Sequence, residues 1–243
     1  MLRNSFRLLR DFILIFFDHL ATLKFSSNNS CVQRCVIVRV DNIGDFILWL
    51  PSAERLCHSY IGFGKKILIC NDAFTELASA TGLFSQVIGV NVSKFNRDFR
   101  YRFRMLRRIA NIGAFVAIQP TYSRVFLTGD SIIRASGAKS RIGFDGDLSN
   151  IRPWQKWISD RWYTELVPAS TLQMMELDRN SEFLYKLGIG DGQAVLPILP
   201  ELVELPAHKL PGEHYFVIFP GASSAWKTWS TEAFAIVAKK IID

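Results

Sequence analysis

Short apolar runs alternate with longer, helix-like segments over much of the chain. Five of these runs have the length and composition of buried strands. They lie at Cys35–Val38, Lys65–Cys70, Gln86–Val90, Ala114–Gln119 and Ser140–Phe144. Because strands alternate with helices, the sequence predicts an α/β fold in which a mostly parallel, Rossmann-like sheet is covered on both faces.

The segments between the runs predict helices at Phe46–Tyr60, Ala73–Ala80, Phe95–Ile112 and Val125–Ser136. A further helix is predicted at Thr171–Leu187, where Gly188 supplies a stop signal. From Asp145 to Ser170 the pattern weakens, with three tryptophans among charged residues. That stretch is predicted to be a long surface loop, of the kind that often borders a functional site.

Four prolines between residues 189 and 212 forbid a long helix and indicate an extended connector. Beyond it, Tyr215–Phe219 predicts a strand, and Ser230–Ile242 predicts a helix with Ser230 as its N-cap. One strand and one helix cannot cover each other's apolar faces, so we expect the start of an incomplete second domain. The predicted division is an amino-terminal helix and linker at 1–30, a Rossmann-like domain at 31–190, a connector at 191–212 and the second domain from 213 to 243.

Basic residues outnumber acidic ones by 29 to 22, and part of the excess is concentrated in one predicted helix. The cluster consists of Lys94, Arg97, Arg100, Arg102, Arg104, Arg107 and Arg108, opposed locally only by Asp98. It could meet an anionic membrane, a phosphorylated sugar-lipid or nucleic acid, or it could be a solvated helix face. No nucleic-acid-binding motif accompanies it, so nucleic acid is not expected as a partner.

The amino terminus, residues 1–24, combines three arginines with the apolar run Phe12–Phe17. The run is too short to span a bilayer, which takes roughly 20 apolar residues, and no convincing signal-peptide cleavage site follows it. Two interpretations stay open. The segment is either an amphipathic helix lying on the cytoplasmic surface of a membrane or a helix packed on the protein's own core.

The cysteines and histidines give no sign of a metal or redox site. The four cysteines form no C-x-x-C pair, and the four histidines have no H-x-x-x-H spacing. We therefore expect reduced thiols, no disulfide and no metal. A dehydrogenase is disfavoured because Gly62 and Gly64 precede a predicted strand, whereas a dinucleotide-binding loop follows one.

Two carboxylates and a glycine follow the first predicted strand, in the order Arg39-x-Asp41-x-x-Gly44-Asp45. Ligands of open α/β sheets bind beyond the carboxyl ends of strands, so this loop is expected to border a cleft. Its spacing alone favours a plainer interpretation, in which Asp45 caps the next helix and Asp41 is an ordinary turn residue.

Together with a second segment, this loop resembles the signatures of the family 9 glycosyltransferases, which include the lipopolysaccharide heptosyltransferases. The second segment, residues 219–230, is a small-residue loop followed by Lys227-x-Trp229 at the start of a helix. The two segments occur in the family's order, about one domain apart. The resemblance implies a GT-B-type architecture, with the active site between two Rossmann-like halves.

The resemblance also implies roles for individual residues. Asp45 matches the catalytic base, Asp41 is expected to organise the turn, and Gly44 is expected to let the backbone turn sharply and approach the acceptor. Lys227 and a serine are implied as contacts to the donor's phosphates. The expected donor-side set is Gly221, Ser223, Ser224 and Lys227.

The expected activity is therefore inverting, metal-independent and cofactor-free transfer of a sugar from a nucleotide-sugar, with ADP-heptose the family's usual donor. The expected acceptor is lipopolysaccharide core or a related lipid-linked glycan at the cytoplasmic face of the inner membrane. The alternative is a catalytically inactive module that binds the acceptor or a membrane. Two observations would distinguish these alternatives: the effect of an Asp45 substitution on sugar transfer, and whether the sequence continues beyond residue 243.

Overall fold

The computed structural model describes residues 2–23, 33–59, 64–199, 215–222 and 225–242. It divides into two compact units, Met1–Glu201 and Leu202–Asp243. The predicted linker at residues 26–30 and most of the prolines of the predicted connector lie outside the described residues.

The first unit contains a parallel sheet of six strands. They are β1 (Arg34–Arg39), β2 (Lys65–Asn71), β3 (Gln86–Val90), β4 (Val116–Gln119), β5 (Ser140–Phe144) and β6 (Glu165–Val167). The strand order is β3-β2-β1-β4-β5-β6, and every neighbouring pair is parallel. The chain builds outward from β1 to β3 and then returns to β4 on the other side of β1. The order therefore reverses between β1 and β4, and the predicted α/β class is confirmed.

The described helices are α1 (Leu2–Thr22), α2 (Ile43–Ser59), α3 (Thr75–Ala80), α4 (Val92–Arg97), α5 (Phe99–Ala110), α6 (Ser131–Ser136), α7 (Pro153–Ser159), α8 (Glu176–Lys186) and, in the second unit, α9 (Thr231–Ile242). Single turns of 3₁₀-helix occupy Asp72–Phe74, Asp160–Trp162 and Ala225–Lys227. A π-helical turn at Phe126–Asp130 leads into α6. None of the described helices is long and apolar enough to cross a membrane.

Alternate side chains of each strand enter two separate cores, one on each face of the sheet. Ile37 of β1 packs with Trp49 of α2 and Phe183 of α8 on one face. Val36 and Val38 point to the other face, which α1, α5 and α6 cover. This division explains why the strands read as continuous apolar runs, since both of their faces are buried.

Two predictions in the first unit were wrong. The basic helix predicted at Phe95–Ile112 is two helices, because Asp98 has an extended backbone and its carboxylate accepts hydrogen bonds from the N–H groups of Arg100 and Tyr101. The loop predicted from residue 145 to 170 contains α7, a 3₁₀ turn and β6. Strand β6 has only three residues, too few to show a periodicity.

In the second unit, residues 215–220 form no strand, so the strand predicted at Tyr215–Phe219 is wrong. The predicted helix is confirmed as α9. The hydroxyl of Ser230 accepts a hydrogen bond from the N–H of Ala233 at 3.1 Å, as an N-cap does. The domain boundaries predicted from the sequence stay predictions.

Candidate functional site

The loop between β1 and α2 lies where the strand order reverses. Strand β1 ends at Arg39 and α2 begins at Ile43, so Asp45 stands in the helix's first turn. In open α/β sheets the crevice at such a reversal is the usual ligand site, because the loops that leave β1 and β4 diverge there. The motif from Arg39 to Asp45 therefore lies where proteins of this fold class bind their ligands.

Asp45 has both a local contact and an accessible surface. Its Oδ2 accepts a hydrogen bond from the backbone N–H of Asn42 at 3.3 Å, which is the reach-back half of a capping box. The residue is nevertheless only half-buried. Among the described residues its other oxygen has no hydrogen-bond partner. Capping thus occupies one oxygen of the carboxylate, and the catalytic role of Asp45 stays a prediction.

A fully buried guanidinium, that of Arg39, connects the loop to α8. Its Nη2 donates to Glu176 Oε1 at 2.9 Å and to the backbone oxygen of Asp45 at 3.1 Å. Its Nη1 donates to Asn180 Oδ1 at 3.2 Å. Its Nε lies 3.1 Å from Asp41 Oδ2, an ion pair in which the N–H does not point at the oxygen. Arg39 therefore fixes the backbone that carries Asp45.

Asp41 joins the loops that follow three neighbouring strands. Thr121, after β4, donates its hydroxyl to Asp41 Oδ2 at 3.3 Å. Asn71, at the end of β2, donates its amide to the backbone oxygen of Asp41 at 3.2 Å. The other carboxylate oxygen of Asp41 is buried without a partner among the described residues. These contacts are those of a residue that organises a turn.

Two carboxylates, those of Asp41 and Glu176, share the single positive charge of Arg39, and the Asp45 carboxylate lies nearby. Burial raises the pKa of Asp41, and the nearby charge of Asp45 raises it further against the opposing effect of Arg39. Burial likewise raises the pKa of Glu176, again opposed by Arg39 and reinforced by both aspartates. Both pKa shifts favour the protonated form of the carboxyl concerned, Asp41 or Glu176.

Sequence reasoning missed the contribution of α8. Glu176 and Asn180 stand one helical turn apart, and both contact Arg39. Their i, i+4 spacing was visible in the sequence, but it does not show which strand a helix faces. The sequence motif includes Arg39 but gives no sign of its role.

One expected role was wrong. Gly44 is helical and lies outside the left-handed region, so a sharp turn does not require glycine there. A Cβ atom built on Gly44 would meet nothing within 4 Å. The structure therefore has open space beside Gly44. Contact between this loop and an acceptor stays a prediction.

The expected donor-side residues belong to the second unit. Lys227 is exposed in the 3₁₀ turn before α9, with its ammonium 4.9 Å from the ring centroid of Trp226. Gly221 is exposed in the preceding segment. Ser223 and Ser224 lie outside the described residues.

The described cysteines are buried thiols that show no sign of a redox or metal-binding role. Cys35, Cys57 and Cys70 are buried free thiols, and burial raises the pKa of Cys57 to about 11 and that of each of the other two to about 12. Within the described ranges no three His, Cys, Asp or Glu side chains are grouped as metal ligands.

Solved glycosyltransferases share this fold. A family 9 glycosyl transferase from Veillonella parvula superposes with a TM-score of 0.63 at 17% identity, over 86% of this chain and 59% of its own length. E. coli heptosyltransferase WaaC, solved with ADP-2-deoxy-2-fluoro heptose, gives a TM-score of 0.60 at 16% identity, over 87% of this chain and 66% of WaaC. E. coli ADP-heptose lps heptosyltransferase II superposes with a TM-score of 0.52 at 13% identity, over 86% of this chain and 61% of its own length.

The fold is that of the family 9 glycosyltransferases. This chain spans about six-tenths of the length of the structures it matches. No protein-family model matches the sequence, and no curated protein matches it significantly. At these identities the likeness establishes the architecture, and the chemistry has to be argued from the residues of the site.

Proposed function

We propose that this chain carries the acceptor-side half, and part of the donor-side half, of an inverting, metal-independent family 9 glycosyltransferase. The observation that carries the proposal is the position of the half-exposed Asp45 carboxylate, at the strand-order reversal of a glycosyltransferase fold. The proposed reaction moves a sugar, heptose in the first instance, from a nucleotide-sugar to lipopolysaccharide core or a related surface glycan.

In the proposed reaction Asp45 is the general base. As the acceptor oxygen attacks the anomeric carbon, the hydroxyl proton passes to the carboxylate, and the bond between the anomeric carbon and the diphosphate oxygen breaks. The nucleoside diphosphate leaves with the bonding electrons, and the configuration of the sugar inverts. Arg39 acts one step away from the reacting atoms by fixing the Asp45 backbone.

The departing diphosphate needs positive charge and oriented donors. Lys227 is proposed to supply the charge, with Gly221, Ser223 and Ser224 contributing backbone or hydroxyl donors to the phosphates. An ADP-heptose analogue is bound in WaaC, which supports a nucleotide-sugar as the donor of the proposed reaction. A lipid-linked acceptor would set the reaction at the cytoplasmic face of the inner membrane.

The test is nucleotide release from ADP-heptose in the presence of a lipopolysaccharide-core acceptor. Asp45→Asn keeps the size of the side chain and removes its basicity, so turnover should fall about 100-fold or more. The control is Asp178→Asn, an exposed aspartate on α8, which should keep the wild-type rate. Equal rates in Asp45→Asn and the wild type would remove Asp45 as the base. Acceptor binding without turnover by the wild type would favour the inactive module.

A further inference from the structure

Helix α1 is packed with its charged side inward. Asp11 and Asp18 are buried together with Leu14 and Ala21, all on one side of the helix. The opposite side is apolar and exposed; its members are Leu9, Phe12, Ile13, Phe16, Phe17 and Leu20. An amphipathic helix on a globular core has the reverse arrangement. Helix α1 does pack on the core, through contacts with α5 and α6, but two of the four buried side chains on its packed side are carboxylates.

A buried ion pair holds the helix in this orientation. Arg102 of α5 donates from Nε to Asp18 Oδ1 at 2.6 Å and from Nη2 to Asp18 Oδ2 at 2.5 Å. Its Nη1 donates to the backbone oxygen of Leu127 at 2.7 Å. Rotating the helix to bury its phenylalanines would leave these charges unpaired, which is costly in a low-dielectric interior. The exposed apolar face is therefore fixed by the fold.

The apolar face continues from α1 onto α5. The rings of Phe17 and Phe99 meet edge to face, with centroids 6.0 Å apart. An apolar groove of about 600 Å³ between the two helices is lined by Phe17, Leu20, Phe99, Arg100, Phe103 and Arg104. Phe16 and Phe99 are 60% and 51% exposed. Contiguous apolar surface of this kind marks a site of interaction.

Positive charge lies along the α5 side of the groove, where Arg100 and Arg104 line it. Arg97, Arg100, Arg104 and Arg108 are exposed along α4 and α5. The nearest acidic residue in that stretch, Asp98, caps α5. Arg102 is an exception within the basic cluster, because it is buried and paired with Asp18. Aromatic and aliphatic side chains rimmed by arginines match the boundary between the acyl chains and the head groups of an anionic bilayer.

We propose that α1 and the exposed side of α5 form a docking surface for an anionic lipid bilayer. Helix α1 lies flat in the head-group region, Phe16, Phe17 and Phe99 enter the acyl boundary, and the arginines contact lipid phosphates. A second copy of the chain fits this face less well, since a symmetric contact would bring the arginine-rich rims together. The proposal concerns a surface apart from the Asp45 site and does not depend on sugar transfer.

The test is co-sedimentation of the full chain with vesicles of phosphatidylcholine mixed with phosphatidylglycerol, and with vesicles of phosphatidylcholine alone. Binding should be stronger to the mixed vesicles and should weaken with added salt. Arg100→Gln/Arg104→Gln should lower affinity about 30-fold, because each arginine near an anionic surface contributes about five-fold. Phe16→Gln/Phe99→Gln should lower it at least about ten-fold for each side chain removed.

Matched controls remove an exposed aromatic side chain and two exposed positive charges elsewhere on the protein. Tyr185→Gln removes an aromatic side chain that is 58% exposed on α8, which packs on the opposite face of the sheet. Lys65→Gln/Lys139→Gln removes two exposed charges at the amino-terminal ends of β2 and β5. Both controls should bind as the wild type does.

Three outcomes would overturn the proposal. The first is a wild-type chain that stays in the supernatant with the mixed vesicles, and the second is a phenylalanine variant that sediments with them as fully as the wild type. The third is a dimer, seen by sedimentation equilibrium, that Phe16→Gln/Phe99→Gln abolishes while vesicle binding is absent. That third result would assign the face to another copy of the chain.

Discussion

The hydroxyl of Thr121 donates to the carboxylate of Asp41 across the crevice where the strand order of the sheet reverses, over 3.3 Å. The two residues belong to loops that leave adjacent strands in diverging directions. Their hydrogen bond links the two loops that border the proposed site. It also orients the Asp41 side chain beside Arg39, which in turn fixes the backbone of Asp45.

Removing that contact should cost little stability and measurable activity. Thr121→Val keeps the shape of the side chain and loses the donor, so the free energy of unfolding in urea should fall by about 1 kcal/mol. Thr121→Ser retains the hydroxyl and should stay close to the wild type. A Thr121→Val protein indistinguishable from Thr121→Ser in both urea unfolding and sugar transfer would show that the crevice does not depend on this hydrogen bond.

Arg39 should be among the most sensitive positions of the first unit. Arg39→Met leaves Asp41 and Glu176 half-buried without their cation, and we expect a loss of about 3–5 kcal/mol in the free energy of unfolding. Arg39→Lys should recover only part of it, because one ammonium cannot reach the partners that the guanidinium contacts on both α2 and α8. Wild-type stability in either variant, measured by urea denaturation, would contradict this account of the cluster.

Much of this arrangement follows from the sequence, and a definite part does not. The strands and the β1–α2 loop were predictable because apolar runs and turn residues are local signals. The contacts of Glu176 and Asn180 with Arg39 were not predictable, because these residues lie 137 and 141 positions from Arg39 in the sequence. Strand β6 was missed because three residues show no period. The inverted packing of α1 depends on Arg102, and no local rule pairs it with Asp18.

Glu176 should make stability depend on pH in an unusual direction. Its pKa is raised from the ordinary value of 4.5 in the folded protein. The folded state therefore binds more protons than the unfolded state, and this contribution is present below about pH 4.5 and lost as pH rises through the higher, folded pKa. Relative to Glu176→Gln, the wild type should therefore lose stability as the pH rises through that interval. A constant difference between the two proteins across pH, measured by urea denaturation, would contradict the shift.

The Asp18 and Arg102 pair should behave as one energetic unit. Asp18→Asn leaves the Arg102 guanidinium buried without its counter-charge, so we expect a loss of about 3–5 kcal/mol. Asp18→Asn/Arg102→Met should cost less than the sum of the two single changes. Asp178→Asn, on an exposed part of α8, serves as the control. Additive losses in the double-mutant cycle would show that the ion pair does not hold α1 in place.

The most direct measurement of the central claim is a crystal structure of the protein with a nucleotide-sugar analogue and an acceptor glycan. The account predicts the attacking hydroxyl of the acceptor within about 2.6–3.2 Å of an Asp45 carboxylate oxygen, in the crevice between β1 and β4. An acceptor bound elsewhere, with the Asp45 carboxylate still turned to the Asn42 N–H and no sugar beside it, would contradict the assignment of this loop as the reactive centre.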